Sequence, residues 1–317
     1  IREQMAVSSG ILKHLKGDDS RAALFLLRRN THRLEKGLLM RPRRAIYALD
    51  YIEETVDAYL RVHQNERKKE YTHSLEWARA VLEKYFDACG EHKLITRSLR
   101  KFNSTMDSSE TTEQSSDGHL TPYIRETTPL NCSYEDLQQL AHRRRSVRWF
   151  KPEAVSREAI DQAIRIASEA PSACNRQPFH YRIYDDPDLI QQVANIPMGT
   201  RGFAENIPCI CVLTGDLSAY FDERDRHNIY VDASLSAMLF MLALETLNLA
   251  SCPLNWPDIE KKESEMSACL GLPAYERPVF LIAIGKPDPT REVASSPKNQ
   301  IDHLRSYNRH GSYSKSG

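Results

Sequence analysis

The sequence predicts an α+β fold, a helix-covered sheet, preceded by an all-α segment. Three observations predict it. Apolar residues recur at helical spacing through the first hundred positions. A polar stretch, "NSTMDSSETTEQSSDGH", then interrupts the pattern. Beyond it, helical periodicities alternate with only three or four short strand-like runs, which suits a helix-covered sheet better than a barrel or a regular βαβ repeat.

The elements follow in order. "ALFLLRRNTHRLEKGL" predicts a helix, and Ile46, Leu49, Ile52, Val56 and Leu60 predict a second. Leu75, Ala78, Val81, Leu82 and Tyr85 predict another, running from a Ser74 cap to Gly90 as the residue past its end. Residues 1–102 thus read as a helical extension. Residues 103–130 lack the apolar content to fold alone and are expected to be a disordered linker. Residues 131–317 form the α+β domain. Helices are predicted at 133–142 with Ser133 as cap, 156–169 with Ser156 as cap, 187–195, 228–248 and 257–270. Strands are predicted at 179–184, 207–213 and 278–284.

Composition narrows the function classes. Of 317 residues, 41% are hydrophobic, enough for a core, and 27% are charged, which argues for a soluble protein. No apolar run approaches the ~18 residues of a membrane span. "ASLSAMLFMLALETLNLA" is interrupted by Ser236, Glu245 and Asn248 and reads as a buried helix. The chain begins at Ile1, which leaves an upstream targeting segment open. Net charge is zero, but residues 1–100 carry +6 and the remainder −6. That asymmetry suits an anionic or protein partner for residues 1–102, and equally a solvated helical face. Nothing points to nucleic acid. Seven cysteines form no CxxC pair and no disulfide framework, which fits a reducing, cytoplasmic setting. Cys209 and Cys211 share one face of a strand and read as core.

Four stretches could carry chemistry. In "HRRRSVRWF", extended backbone puts Ser146 and Arg148 on one face, and with Arg145 they make a phosphate clamp of charge-assisted donors. Cations after a helix end are also favoured by its dipole, so the bland reading stands beside it. In "APSACNRQPF", Pro171 stops a helix, and Ser172, Ala173 and Cys174 are small enough for a flat ligand to lie against backbone. Asn175, Arg176 and Gln177 then offer polar groups to a heterocycle edge, or form a solvated turn. "LNLASCPLNW" reads as a loop after a long apolar helix, and "IAIGKPDPTREVASSPKN" offers Lys286, Arg291 and Lys298 to an anion. Asp222, Glu223, Asp225 and His227 sit among arginines, and His32 with Glu35 lacks further ligands, so no metal site is expected.

Together, Arg-Arg-Ser-x-Arg after a short helix, "APSACNRQPF", "LASCPLNW" and the strand "IAIGKPD" resemble the nitroreductase-like flavoprotein family over roughly residues 131–310. The resemblance implies a mainly antiparallel sheet that binds FMN and an intertwined homodimer with each flavin at the interface. Carried over by position, Arg145, Ser146 and Arg148 would hold the FMN phosphate and ribityl chain. Pro171, Ser172, Ala173, Asn175 and Gln177 would reach the flavin across the interface. Ser251, Cys252, Pro253 and Leu254 would lie against its ring, and Lys298 with Ser296 would supply a second phosphate contact, Arg291 being the other candidate. No residue is implied as catalytic, since the flavin carries the chemistry.

The implied activity is an FMN-dependent oxidoreductase. It would take hydride from NADH or NADPH onto flavin N5 and pass electrons to a small electron-poor acceptor, nitro- or quinone-like, in a ping-pong cycle. "SCPLNW" lacks the acidic residue found there in better-known nitro-reducing members. Dehalogenation, flavin fragmentation or dehydrogenation on the same fold therefore stay open, as does a redox-sensing or partner-binding scaffold using the basic helices. The helical extension lies outside the family core. It resembles an extension in some relatives associated with polysaccharide biosynthesis.

Overall fold

The computed structural model describes residues 2–16, 20–104 and 119–308. Residues 105–118, the centre of the predicted linker, lie outside the described residues. Residues 119–130 carry no regular secondary structure, and α5 (Lys93–Asn103) reaches the residue at which the linker was expected to start.

The sheet has four strands, β1 (Phe179–Tyr184), β2 (Cys209–Asp216), β3 (Ala250–Asn255) and β4 (Glu276–Gly285), in the order β1-β2-β4-β3 with every pair antiparallel. An antiparallel sheet often leaves one face in water, but here both are covered. Cys209, Cys211 and Leu213 pack with Ile160, Ala163, Phe240 and Leu244, from α7 (Arg157–Ser168) and α9 (Asn228–Thr246). Ile210 and Val212 pack on the other side with Ile190 of α8 (Pro187–Ala194) and Met266 of α10 (Glu260–Leu270). That is why β2 is buried at every position and reads as a continuous apolar run from Cys209 to Leu213. The predicted caps are present: Ser133 forms a capping box with Asp136 at the start of α6 (Tyr134–Arg143), and Ser156 accepts from the amide of Ala159.

The stretch Glu223–Thr246 is long and apolar enough to cross a membrane by length and composition, which the sequence reading had not granted, but 56% of its apolar window is buried. Buried Asp232, Ser236 and Glu245 lie along it.

α2 (Ser20–Leu39), α3 (Ile52–His63), α4 (Thr72–Ala88) and α5 share one core, centred on Leu27, Leu34, Val56, Leu82, Tyr85 and Phe102. Three expectations need correction. Ile46 and Leu49 lie outside any helix, because α3 begins only at Ile52. Ser74 is not a cap: α4 starts two residues earlier after a 3-10 turn, and the buried Ser74 hydroxyl accepts from Arg28. Gly90 is not a left-handed terminator; the chain leaves α4 extended at Cys89, and the Gly90 amide donates to Ala45.

α1 (Arg2–Lys16) lies outside this core. Its Ala6 and Val7 join Phe25, Leu217, Tyr220 and Ile229 in a cluster shared with the α+β domain. A Cβ on Gly10 would fall 2.6 Å from the carbonyl carbon of Leu217, so only glycine permits this approach.

Arg21 of α2 reaches two buried carboxylates at the ends of β2 and β4, Asp216 at 2.9 Å and Glu276 at 3.4 Å, and Arg182 meets Glu276 at 2.7 Å. Burial outweighs the attraction of Arg21 and pushes the Asp216 carboxyl up to about 6, from 3.8. The folded state therefore binds this proton more tightly than the unfolded chain. Asp216 weakens the fold progressively as pH rises from about 4 to about 6, and its cost is constant above. Asp216→Asn removes this dependence. Between pH 5 and 7.5 the wild type is expected to lose about 1 kcal/mol relative to the variant. Urea midpoints at both pH values measure the difference, and parallel profiles for the two proteins would refute it.

Candidate functional site

The segment after α7 is held in an unusual backbone. Cys174, Asn175 and Gln177 have φ of 54°, 52° and 50°, the left-handed region in which side chains crowd the backbone. Each such residue costs about 1 kcal/mol or more and persists only where surrounding contacts impose it. Those contacts are present. The Asn175 amide donates to the Ser172 carbonyl at 2.9 Å, and the Gln177 amide to Ser172 Oγ at 3.0 Å. Asp232 of α9 accepts from the Ala173 amide at 2.9 Å, and burial raises its pKa.

The polar trio is not presented together. Arg176 is buried: its Nε donates to the Ala173 carbonyl, its Nη1 to the Ala219 carbonyl at 3.0 Å, and the guanidinium lies 4.3 Å from the Tyr220 ring centroid. Gln177 accepts from Arg28 through Oε1 at 3.1 Å and donates to the Ser168 carbonyl at 3.1 Å. Among the described residues, only Asn175 of the three keeps a carboxamide without a recorded partner. The expectation that all three address a ligand is corrected, because the strained backbone uses Arg176 and Gln177 as props.

Ser146–Phe150, whose extension the phosphate-clamp reading assumed, is paired at both ends as extended backbone. Ser146 bridges Ser251 in parallel, the Val147 amide donates to the Ser251 carbonyl at 3.1 Å, and Phe150 bridges Pro287. Asn206 clamps the strand by accepting from the Phe150 amide and donating to the Arg148 carbonyl. The third motif is strand β3, not a loop, since pairing with β4 straightens it. Pro253, which has no amide to donate, fits because β3 ends the sheet. Cys252 and Leu254 point into the core, and Ser251 is fully buried.

The 144–150 run and β3 meet at one corner. Arg144 and Arg148 both act electrostatically on the Cys252 thiol, whose pKa burial nonetheless raises, and Arg144 also acts on Glu245. Arg144 Nε and Ser251 Oγ are buried with no hydrogen-bond partner among the described residues. Arg144 was missed by the sequence reading, although it stands in the same arginine run. Arg145 donates to the carbonyls of Ala294 and Ser295, which ties the tail holding Ser296 and Lys298 to this corner. Ser296 has φ 38° and Lys298 is exposed. Arg291 is engaged elsewhere, 3.8 Å from Asp288 and over the Trp149 ring.

Two of the acids near 222–227 act structurally: Asp222 caps a 3-10 turn, and Asp225 lies 3.7 Å from Arg176. His32 sits 3.9 Å from Glu35, which accepts from Trp77 Nε1. No group of three metal-ligating side chains occurs among the described residues.

Residues 141–286 match the model of the Nitroreductase family. The chain is 26% identical over 188 residues to an iodotyrosine deiodinase of Thermotoga neapolitana, covering 52% of this chain and 95% of that protein. It is 27% identical over 187 residues to an NADH dehydrogenase of Thermus thermophilus, covering 48% and 87%. Among solved structures, a Bacillus subtilis protein provisionally described as a nitroreductase overlays with a TM-score of 0.50 at 18% identity, covering 55% of this chain and 100% of that one, a likeness of fold. The whole four-stranded sheet lies inside the matched segment, so residues 141–286 form a nitroreductase-family domain within this chain.

Proposed function

We propose that the chain is an FMN-dependent oxidoreductase that draws on NADH or NADPH, reduces a small electron-poor acceptor, and works as a cytoplasmic homodimer. The observation that carries the cofactor is the pair of buried donors, Arg144 Nε and Ser251 Oγ, that have no hydrogen-bond partner among the described residues, in a corner that also holds Arg148. A buried polar group without a partner costs about 1–3 kcal/mol, and an anionic, oxygen-rich ligand relieves that cost. Arg144, Arg145, Ser146, Arg148 and Lys298 would hold the phosphate and ribityl chain. Ser251, Cys252, Pro253, Leu254 and the 171–177 segment would bound the ring. FMN, when bound, supplies two-electron chemistry between a nicotinamide and the acceptor.

The protein's own part is position and electrostatics. Asn206 and β3 fix the backbone from which Arg148 projects, and Arg145 draws the tail in. Asn175 retains a donor and an acceptor for the ring edge or ribityl tail. The dimer is supported by Val231, Leu235 and Met238, which lie at helical spacing on α9 and are 53%, 44% and 40% exposed although α9 is the core helix. The free state of all seven cysteines fits a reducing compartment.

The test is spectroscopic. Purified protein soaked in FMN is expected to be yellow and to bleach anaerobically with NADPH or NADH. Protein that takes up no FMN from excess overturns the reading. The likeness to an iodotyrosine deiodinase favours a second reading, reductive dehalogenation of a phenol. Iodide release from iodotyrosine by the reduced protein, with nitroaromatics left unreduced, would select it.

A further inference from the structure

The helical extension, which lies outside the residues that the family model matches, reaches into the proposed flavin segment through one side chain. Arg28 of α2 donates from Nε to the Asn175 carbonyl at 2.7 Å and from Nη2 to Gln177 Oε1 at 3.1 Å. Its Nη1 donates to Ser74 Oγ of α4 at 2.7 Å, and its guanidinium lies 5.4 Å from the Trp77 ring centroid. The planar fork is therefore anchored on two extension helices and aimed at the two ends of the 175–177 turn. Burial lowers the Arg28 pKa only to about 10, so the side chain stays cationic at neutral pH. Both residues it holds have left-handed φ, as does Cys174 between α7 and the turn.

We propose that Arg28 is a positioning residue: it imposes the left-handed backbone at Cys174, Asn175 and Gln177 that presents Asn175 and Ser172 to the flavin, which makes the helical extension a working part of the site. This rests on the flavin reading above. An extension with a purely external role, such as partner binding, has no need of a guanidinium fork on that turn. A lysine could keep the charge but could not reach Asn175, Gln177 and Ser74 at once, because it offers a point charge on a flexible stem.

The experiment compares the full-length wild type with Arg28→Met, Arg28→Lys and the double variant Arg28→Met/Cys174→Gly. Amide hydrogen exchange of residues 171–178 is measured without flavin, and FMN affinity by fluorescence quenching. Expected results are at least tenfold faster exchange in 171–178 for Arg28→Met, with β2 and α9 unchanged, and at least tenfold weaker FMN binding. Arg28→Lys is expected to fall between, and it carries the test if the methionine variant does not fold. Glycine at 174 tolerates positive φ and should recover part of the affinity, a rescue that a merely structural role for Arg28 would not give. Unchanged exchange in 171–178 overturns the proposal, as does faster exchange with unchanged FMN affinity. A wild type that binds no FMN defeats the flavin reading by itself, and the exchange of the flavin-free protein then decides the tether separately.

Discussion

Leu235→Glu is expected to convert a dimer of twice the 36.4 kDa chain mass into a monomer that retains no flavin. Val231, Leu235 and Met238 are spaced four and three residues apart, so they form one stripe along the exposed side of α9, while Ala233, Ser236, Ala237 and Phe240 face the sheet. A two-fold interface presents the same stripe from both subunits, so one substitution buries two unpaired carboxylates. Even after relaxation each costs about 2 kcal/mol or more, and the pair amounts to about a thousandfold in dimerisation. Because Leu235 is exposed in the single subunit, its replacement leaves the subunit core intact. Sedimentation velocity on the wild type and the variant, with the flavin content of each peak, measures both effects. A wild type that sediments as a flavin-loaded monomer would dispose of the shared-site reading.

Arg144→Ala is expected to weaken FMN binding about 10- to 100-fold, since a charge-assisted hydrogen bond contributes about 1.5–3 kcal/mol. The same range is expected for Arg148→Ala. The double variant should lose less than the two combined, because both guanidiniums act on one corner beside Cys252. Arg144 is the sharper test. Its Nε is buried without a hydrogen-bond partner among the described residues, so removing it takes away no hydrogen bond seen at that atom and should leave the apo fold close to wild-type stability. Fluorescence titration with FMN reads the affinity, and thermal unfolding without flavin reads the stability. Equal affinity in wild type and Arg144→Ala would remove the arginine run from the cofactor site.

What was legible in the sequence follows from local physics. Ser133 and Ser156 were readable as caps because a cap is a contact between residues three apart. β2 was readable because both of its faces are buried, which leaves an uninterrupted apolar run from Cys209 to Leu213. β3 was read as a loop because "ASCPLN" contains a proline and small residues, and only pairing with β4 straightens it. Ser74 read as a cap for the same kind of reason: a hydroxyl beside a helical pattern looks alike whether it caps the helix or receives an arginine from another helix.

The site divides along the same line. The types and order of its residues, an arginine run, a proline-bounded turn of small and amide side chains and a basic tail, were set down in the sequence, because each is a contiguous stretch whose chemistry needs no partner to be recognised. Which of those side chains remain available to a ligand was decided by tertiary structure. Arg176 and Gln177 are turned to supporting the turn, and the Nε of Arg144 is left buried without a hydrogen-bond partner among the described residues. Arg28, distant in the chain, closes on Asn175. The physical reason is that a strained backbone must be held by groups brought from elsewhere, and sequence spacing carries no record of which distant side chains the folded core delivers.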